Sequence, residues 1–117
     1  MNDLYKILEE RNISGTRVKK MALIIQIKQG LSRKEIKQFS KEIIENKKDD
    51  NEVLFLYLSD KSEEIIRERD DSELWNCIVS WKKQSSEFRI EKIINGHMEK
   101  DETYCYEWNL NIYKELN

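Results

Sequence analysis

The chain contains no proline, three glycines, one histidine and two cysteines in 117 residues. With a single histidine, His97, a multi-imidazole metal centre is excluded. Without a G-x-S-x-G turn, a Ser-His-Asp hydrolase would have no marked nucleophile. Cys77 and Cys105 are too few and too far apart for a disulfide framework, and they lack the C-x-x-C spacing of a zinc or redox site, so reduced thiols in the cytoplasm are expected. No apolar run approaches the roughly 20 residues that cross a bilayer, and the charged start MNDLYKILEERN has no apolar signal core. Excess charge of one sign is also missing: 21 Lys+Arg against 23 Asp+Glu leave −2, which argues against a globally basic nucleic-acid or membrane-surface protein. The lack of proline beside abundant Lys, Asn and Ile fits an AT-rich bacterial or phage coding bias.

What is present is, first, a strand-helix-strand unit in one domain-sized chain. In residues 21–28 (MALIIQIK), Met21, Leu23, Ile25 and Ile27 alternate with Ala22, Ile24, Gln26 and Lys28, so the first set should face the core and the second be partly covered. Gly30 ends that strand. Ser32 and Glu35 form an S-x-x-E capping box, with Leu31 placed to staple Ile36. Ile36, Phe39, Ile43 and Ile44 then fall on one helical stripe. Residues 53–58 (VLFLYL) are apolar on both faces, as the middle strand of a sheet would be.

The flanks read as strands. Residues 4–10 pair with the unit through an Asn12-Ile13-Ser14-Gly15 turn. Trp75, Cys77, Val79 and Trp81 alternate over residues 74–81, and a hairpin turn at residues 83–86 leads to a second run at 88–94. Asn95-Gly96 is a turn signal. Tyr104, Tyr106, Trp108, Leu110 and Ile112 alternate in a last strand. Residues 60–73 (DKSEEIIRERDDSE) are either a two-turn helix capped by Asp60 or a charged loop. The expected fold is α+β: a mixed, mostly antiparallel sheet of five or six strands with one main amphipathic helix on one face.

On Gly30-Leu31-Ser32 with Glu35-Ile36, the apolar strand 53–58, Trp75 and Ile94-Asn95-Gly96, the chain resembles a family of small uncharacterised bacterial and phage α+β proteins. It departs from that pattern at Ser59-Asp60, where a Pro-Gly turn is usual, and in the acidic insertion before Trp75. The resemblance implies the strand order and no activity.

Charge is divided along the chain. Residues 1–48 hold 12 Lys/Arg and 6 Asp/Glu, net +6, while residues 49–117 hold 9 and 17, net −8. Folding that interleaves the halves would let these charges pair or stay solvated. Two stretches are candidate sites. Thr16, Arg17, Lys19 and Lys20, with Ser14 and Gly15, make a turn that can hold a phosphate-bearing ligand through hydroxyls, backbone N–H groups and the Arg fork; a solvated hairpin turn is the plainer reading. Glu63, Glu64, Asp70 and Asp71 can dock a basic protein partner, against the plainer reading of a solvated loop. Arg33, Lys34, Lys37 and Lys41 line the helix, but Glu35 and Glu42 dilute that face for duplex binding. The aromatic set, Trp75, Trp81, Trp108, Tyr104 and Tyr106, reads as core. His97, among Glu99, Asp101 and Glu102, reads as a loop histidine.

The functional expectation is a non-catalytic, non-membrane binding protein with no cofactor, metal or catalytic residue. It would engage a protein partner, or itself, through the acidic half or a sheet edge; the alternative is a small phosphate-bearing ligand at the basic turn. Nucleic acid is the less favoured partner.

Overall fold

A computed structural model of the protein describes residues 3–71, 73–83 and 96–113. Six strands, β1 (Tyr5–Asn12), β2 (Lys20–Ile27), β3 (Val53–Ser59), β4 (Cys77–Lys82), β5 (Gly96–Asp101) and β6 (Tyr104–Asn109), form one sheet in the order β1-β2-β3-β4-β6-β5. Only β2 and β3 run parallel; every other pairing is antiparallel. The fold is α+β with one main helix, α1 (Arg33–Lys47). The Ser32 hydroxyl accepts from Glu35 N–H and the Glu35 carboxylate from Ser32 N–H, so the capping box is complete.

α1 lays Ile36, Phe39, Ile43 and Ile44 on Leu23, Ile25, Ile27, Leu54, Leu56, Leu58, Val79, Tyr106 and Trp108, which make the principal core. β3 lies inside the sheet: Leu54, Leu56 and Leu58 are buried on the α1 face, while Phe55 and Tyr57 on the other are partly covered. The second face carries a short helix, α2 (Glu63–Glu68), whose Ile66 packs with Ile24 and Leu74. The charged stretch before Trp75 therefore holds a helix over Glu63–Glu68 alone among its described residues, capped by Ser62, while Asp60 N–H donates to Asn76 Oδ1 at 3.0 Å. The reading of β2 is corrected on this face: Ile24, expected to be partly covered, is buried with Ile66 of α2, and Ala22 is buried too.

The last strand stops at Asn109. Its carbonyl accepts from Ile112 and Tyr113 N–H and its Oδ1 from Asn111 N–H, which turns the chain and leaves Ile112 exposed. Residues 96–101, read as a loop around His97, are the edge strand β5. The run 88–94, the turn residues 84–86 and Asn95 lie outside the described residues. No helix among the described residues is long and apolar enough to cross a membrane.

Candidate functional site

Three turns of α1 place Arg33, Lys37 and Lys41 in a row, and alternate residues of β6 place Trp108, Tyr106 and Tyr104 beneath them. The cations sit 5.9, 5.6 and 5.4 Å from the three ring centroids. The rings stack on one another at 5.9 Å (Trp108 on Tyr106) and 6.4 Å (Tyr106 on Tyr104). Lys37 also pairs with Glu99 and Lys41 with Asp101, 3.0 Å away on β5. At the other edge Lys47 pairs with Glu10 at 2.6 Å. These helix cations are therefore committed to the protein's own aromatic and acidic groups. The two electrically opposed halves of the chain meet here, as folding that interleaves them requires.

The acidic stretch is partly spent in the same way. Glu63 holds Lys6 at 3.3 Å and Arg67 at 3.5 Å, and the Lys6 and Arg67 cations keep its carboxyl below the usual range. Asp71 Oδ1 accepts from Glu73 N–H, and its Oδ2 lies 4.0 Å from Lys61. Glu64 and Asp70 are exposed and form no ion pair among the described residues. Behind them Glu73 accepts from Asn109 and Asn111, which hold its carboxyl low, while Asn109 also donates to Trp75 O. That network ties the end of the acidic stretch to β6.

The basic turn is built differently from the expected anion cradle. Ser14 N–H donates to Asn12 Oδ1; its hydroxyl accepts from Lys20 N–H and donates to Lys20 O. Gly15 N–H closes on Val18 O and Ile13 N–H on Lys20 O. The backbone and hydroxyl donors of Ser14 and Gly15 are thus consumed in bracing the loop. What stays exposed is Thr16 with the cations Arg17 and Lys19, while Lys20 is half-buried at the start of β2.

Two cations that the sequence did not place here join them. Lys19, Glu52 and Lys83 lie side by side, because Glu52 N–H donates to Lys19 O and Lys83 N–H to Glu52 O, both at 2.9 Å. One residue further in, Lys20, Val53 and Lys82 are register partners across β2, β3 and β4. The end of the sheet thus brings Arg17, Lys19, Lys20, Lys82 and Lys83 near Glu52, the residue before β3, with Asp49 and Asp50 in the 3-10 turn ahead of it. Lys82 and Lys83 were readable as a basic pair after Trp81, but the antiparallel register that brings them back to β2 was not.

The two candidate patches stay apart. Glu63 docks at Lys6, near the start of β1, and the basic turn leaves its far end at Asn12, about 20 Å away at roughly 3.3 Å per strand residue. Among the described residues no group of three or more His, Cys, Asp or Glu side chains could hold a metal ion. His97 is exposed on β5. The carboxyls of Glu9, Glu35, Glu45, Glu63 and Glu73 are all held below their ordinary value, Glu9 by Arg11 and Arg69 and Glu45 by Lys48. This suits fixed anions rather than proton donors near neutrality.

Compared with protein-family models, curated proteins and solved structures, the chain matches none.

Proposed function

We propose that this protein is a non-catalytic binding module whose working surface is the cationic end of the sheet, where it takes a phosphate-bearing ligand. One observation carries the reading. Arg17, Lys19, Lys20 and Lys83 gather there and form no ion pair among the described residues, whereas both cations of β1, and Lys37, Lys41 and Lys47 of α1, are paired. Cations without a counter-ion at one end of the sheet give it a positive potential, which attracts an anion. The buried, unlinked Cys77 and Cys105 suit work in a reducing cytoplasm.

Thermal shift against phosphate, pyrophosphate and nucleotides tests this. An anion at 100 times its dissociation constant should stabilise the fold by about 2.7 kcal/mol. Arg17→Glu with Lys19→Glu should abolish the shift, and Lys34→Glu on α1 should retain it. If no anion raises the melting temperature, the reading fails.

A second reading has one observation of its own. Ile65 is 39% exposed on α2 beside Glu64, which forms no ion pair among the described residues, an apolar point in an acidic surround suited to a basic protein partner or a second copy of the chain. Sedimentation velocity at low and high salt tests the second copy. Salt-sensitive self-association that Glu64→Lys and Asp70→Lys remove supports it; self-association unchanged by those substitutions counts against it.

A further inference from the structure

We infer that α2 is a lid, latched to β1 by two ion pairs, that lifts off the second face of the sheet while the rest of the fold stays closed; the inference rests on neither binding reading above. The lid has one foot in the core. Of residues 62–71 only Ile66 is buried, and it packs with Ile24 and Leu74, with Leu8, Tyr57 and Trp75 around them. Six residues fall well short of the roughly 12–15 that an isolated helix needs, so α2 depends on that side chain and on its tethers. Arg69, which ends the helix, sits in the left-handed region at φ 55°, where a side chain carries a steric cost that glycine avoids. Unwinding the last turn releases that cost and so works against closure.

The tethers are of two kinds. The flanks of the segment are fixed by hydrogen bonds to polar groups of the frame. Before α2, Asp60 N–H donates to the buried Asn76, Lys61 N–H to the buried Ser59 Oγ at 3.2 Å, and Gln26 Nε2 to Lys61 O at 3.0 Å. After it, Glu73 accepts from Asn109 and Asn111 at 3.0 and 2.8 Å. Lys61 and Asp71, 4.0 Å apart, draw the two ends of the segment together. A segment whose ends meet and are held can move as one piece.

α2 itself is tied to β1 by charge: Glu63 to Lys6 at 3.3 Å at its start, and Arg69 to Glu9 at 2.9 Å just past its end. The second catch depends on a bulge. Ile7 pairs with Ile25 but Glu9 with Ile24, so Leu8 is an extra residue in β1. Without it Glu9 would lie opposite Leu23, on the α1 face; with it Glu9 shares the face of Ile24 and meets Arg69. Each exposed ion pair is worth up to about fivefold in the ratio of closed to open lid and is screened by salt, whereas the hydrogen bonds of the flanks are not. Salt and the loss of either pair should therefore open α2 selectively.

Alkylation of an Ile24→Cys variant, read by peptide mass against the native Cys77 in the α1 core, tests this. The expected result is faster labelling at position 24 than at Cys77. High salt and Lys6→Ala should each raise the ratio of the two rates, by up to about fivefold for the lost pair, and Lys41→Ala, which breaks an ion pair on the other face, should leave it unchanged. In the unsubstituted protein the α2 amides should exchange with solvent ahead of those of β3, and further ahead in high salt; where Ile24→Cys loosens the fold, this measurement decides. Labelling no faster at position 24 than at Cys77, with α2 and β3 amides exchanging together, would show that α2 leaves only when the whole fold opens and overturns the lid. A ratio that either salt or Lys6→Ala leaves unmoved overturns the latch.

Discussion

Ser40 lies on the buried stripe of α1, and its hydroxyl, like that of Tyr106, is buried without a hydrogen-bond partner among the described residues. A buried polar group left unsatisfied costs free energy, and deleting it at constant shape returns that cost. Tyr106→Phe should therefore leave the melting temperature unchanged or raise it. Ser40→Ala should do the same, with about 0.5 kcal/mol added by the better helix propensity of alanine. A drop in either variant, measured by thermal denaturation, would show that the hydroxyl has a partner. Trp108 Nε1 is likewise buried without a hydrogen-bond partner among the described residues, but its large ring is fully buried between Tyr106 and Tyr113, so its size matters more than its polarity. At this scale the sequence was most legible where the information is local. Ser32 and Glu35 are three residues apart and could be recognised as a capping box without knowing anything else about the chain.

The elements divide along the same line. α1 could be read from its cap and its stripe, and Ser32→Ala should cost about 1 kcal/mol, typical for an N-cap, as measured by chemical denaturation with an unchanged m-value. For α2 both Asp60 and Ser62 are good caps; the Ser62 hydroxyl takes the Ile65 N–H, while the Asp60 N–H is tied to Asn76, sixteen residues away. β5 was hidden altogether. Its residues Gly96–Asp101 are polar because it is an edge strand, stitched by backbone bonds to β6 and by Glu99 and Asp101 to lysines about sixty residues earlier. An edge strand that keeps its charges resists pairing with other chains, so its lack of an apolar alternation has a physical cause. The candidate site was half legible for a related reason: Thr16, Arg17, Lys19 and Lys20 fall within one short segment, but Lys82 and Lys83 reach them only through the β3–β4 register.

Across the whole molecule, ionisation should hold stability to a plateau. Glu9, Glu35, Glu63 and Glu73 have folded pKa values below the ordinary 4.5, so the stability they contribute is fully present above about pH 4.5 and is lost as pH falls through their lowered values. Burial pushes Tyr104 and Tyr113 from 10.0 up to about 12, so their contribution is complete below pH 10 and disappears as pH rises towards 12. Melting temperature against pH should fall at both ends, with tyrosinate absorbance appearing late on the alkaline side; a flat acid limb would contradict the carboxylate assignments. The cation ladder between α1 and β6 has one more consequence. A helix advances about 6.0 Å every four residues and a strand about 6.8 Å every two, so Arg33, Lys37 and Lys41 meet Trp108, Tyr106 and Tyr104 like the marks of a vernier. Slid by one turn, the helix would still find cation over ring at two of the three marks. The ladder therefore supplies attraction without address, and the unevenly spaced Ile36, Phe39, Ile43 and Ile44 say where along the sheet the helix must stop.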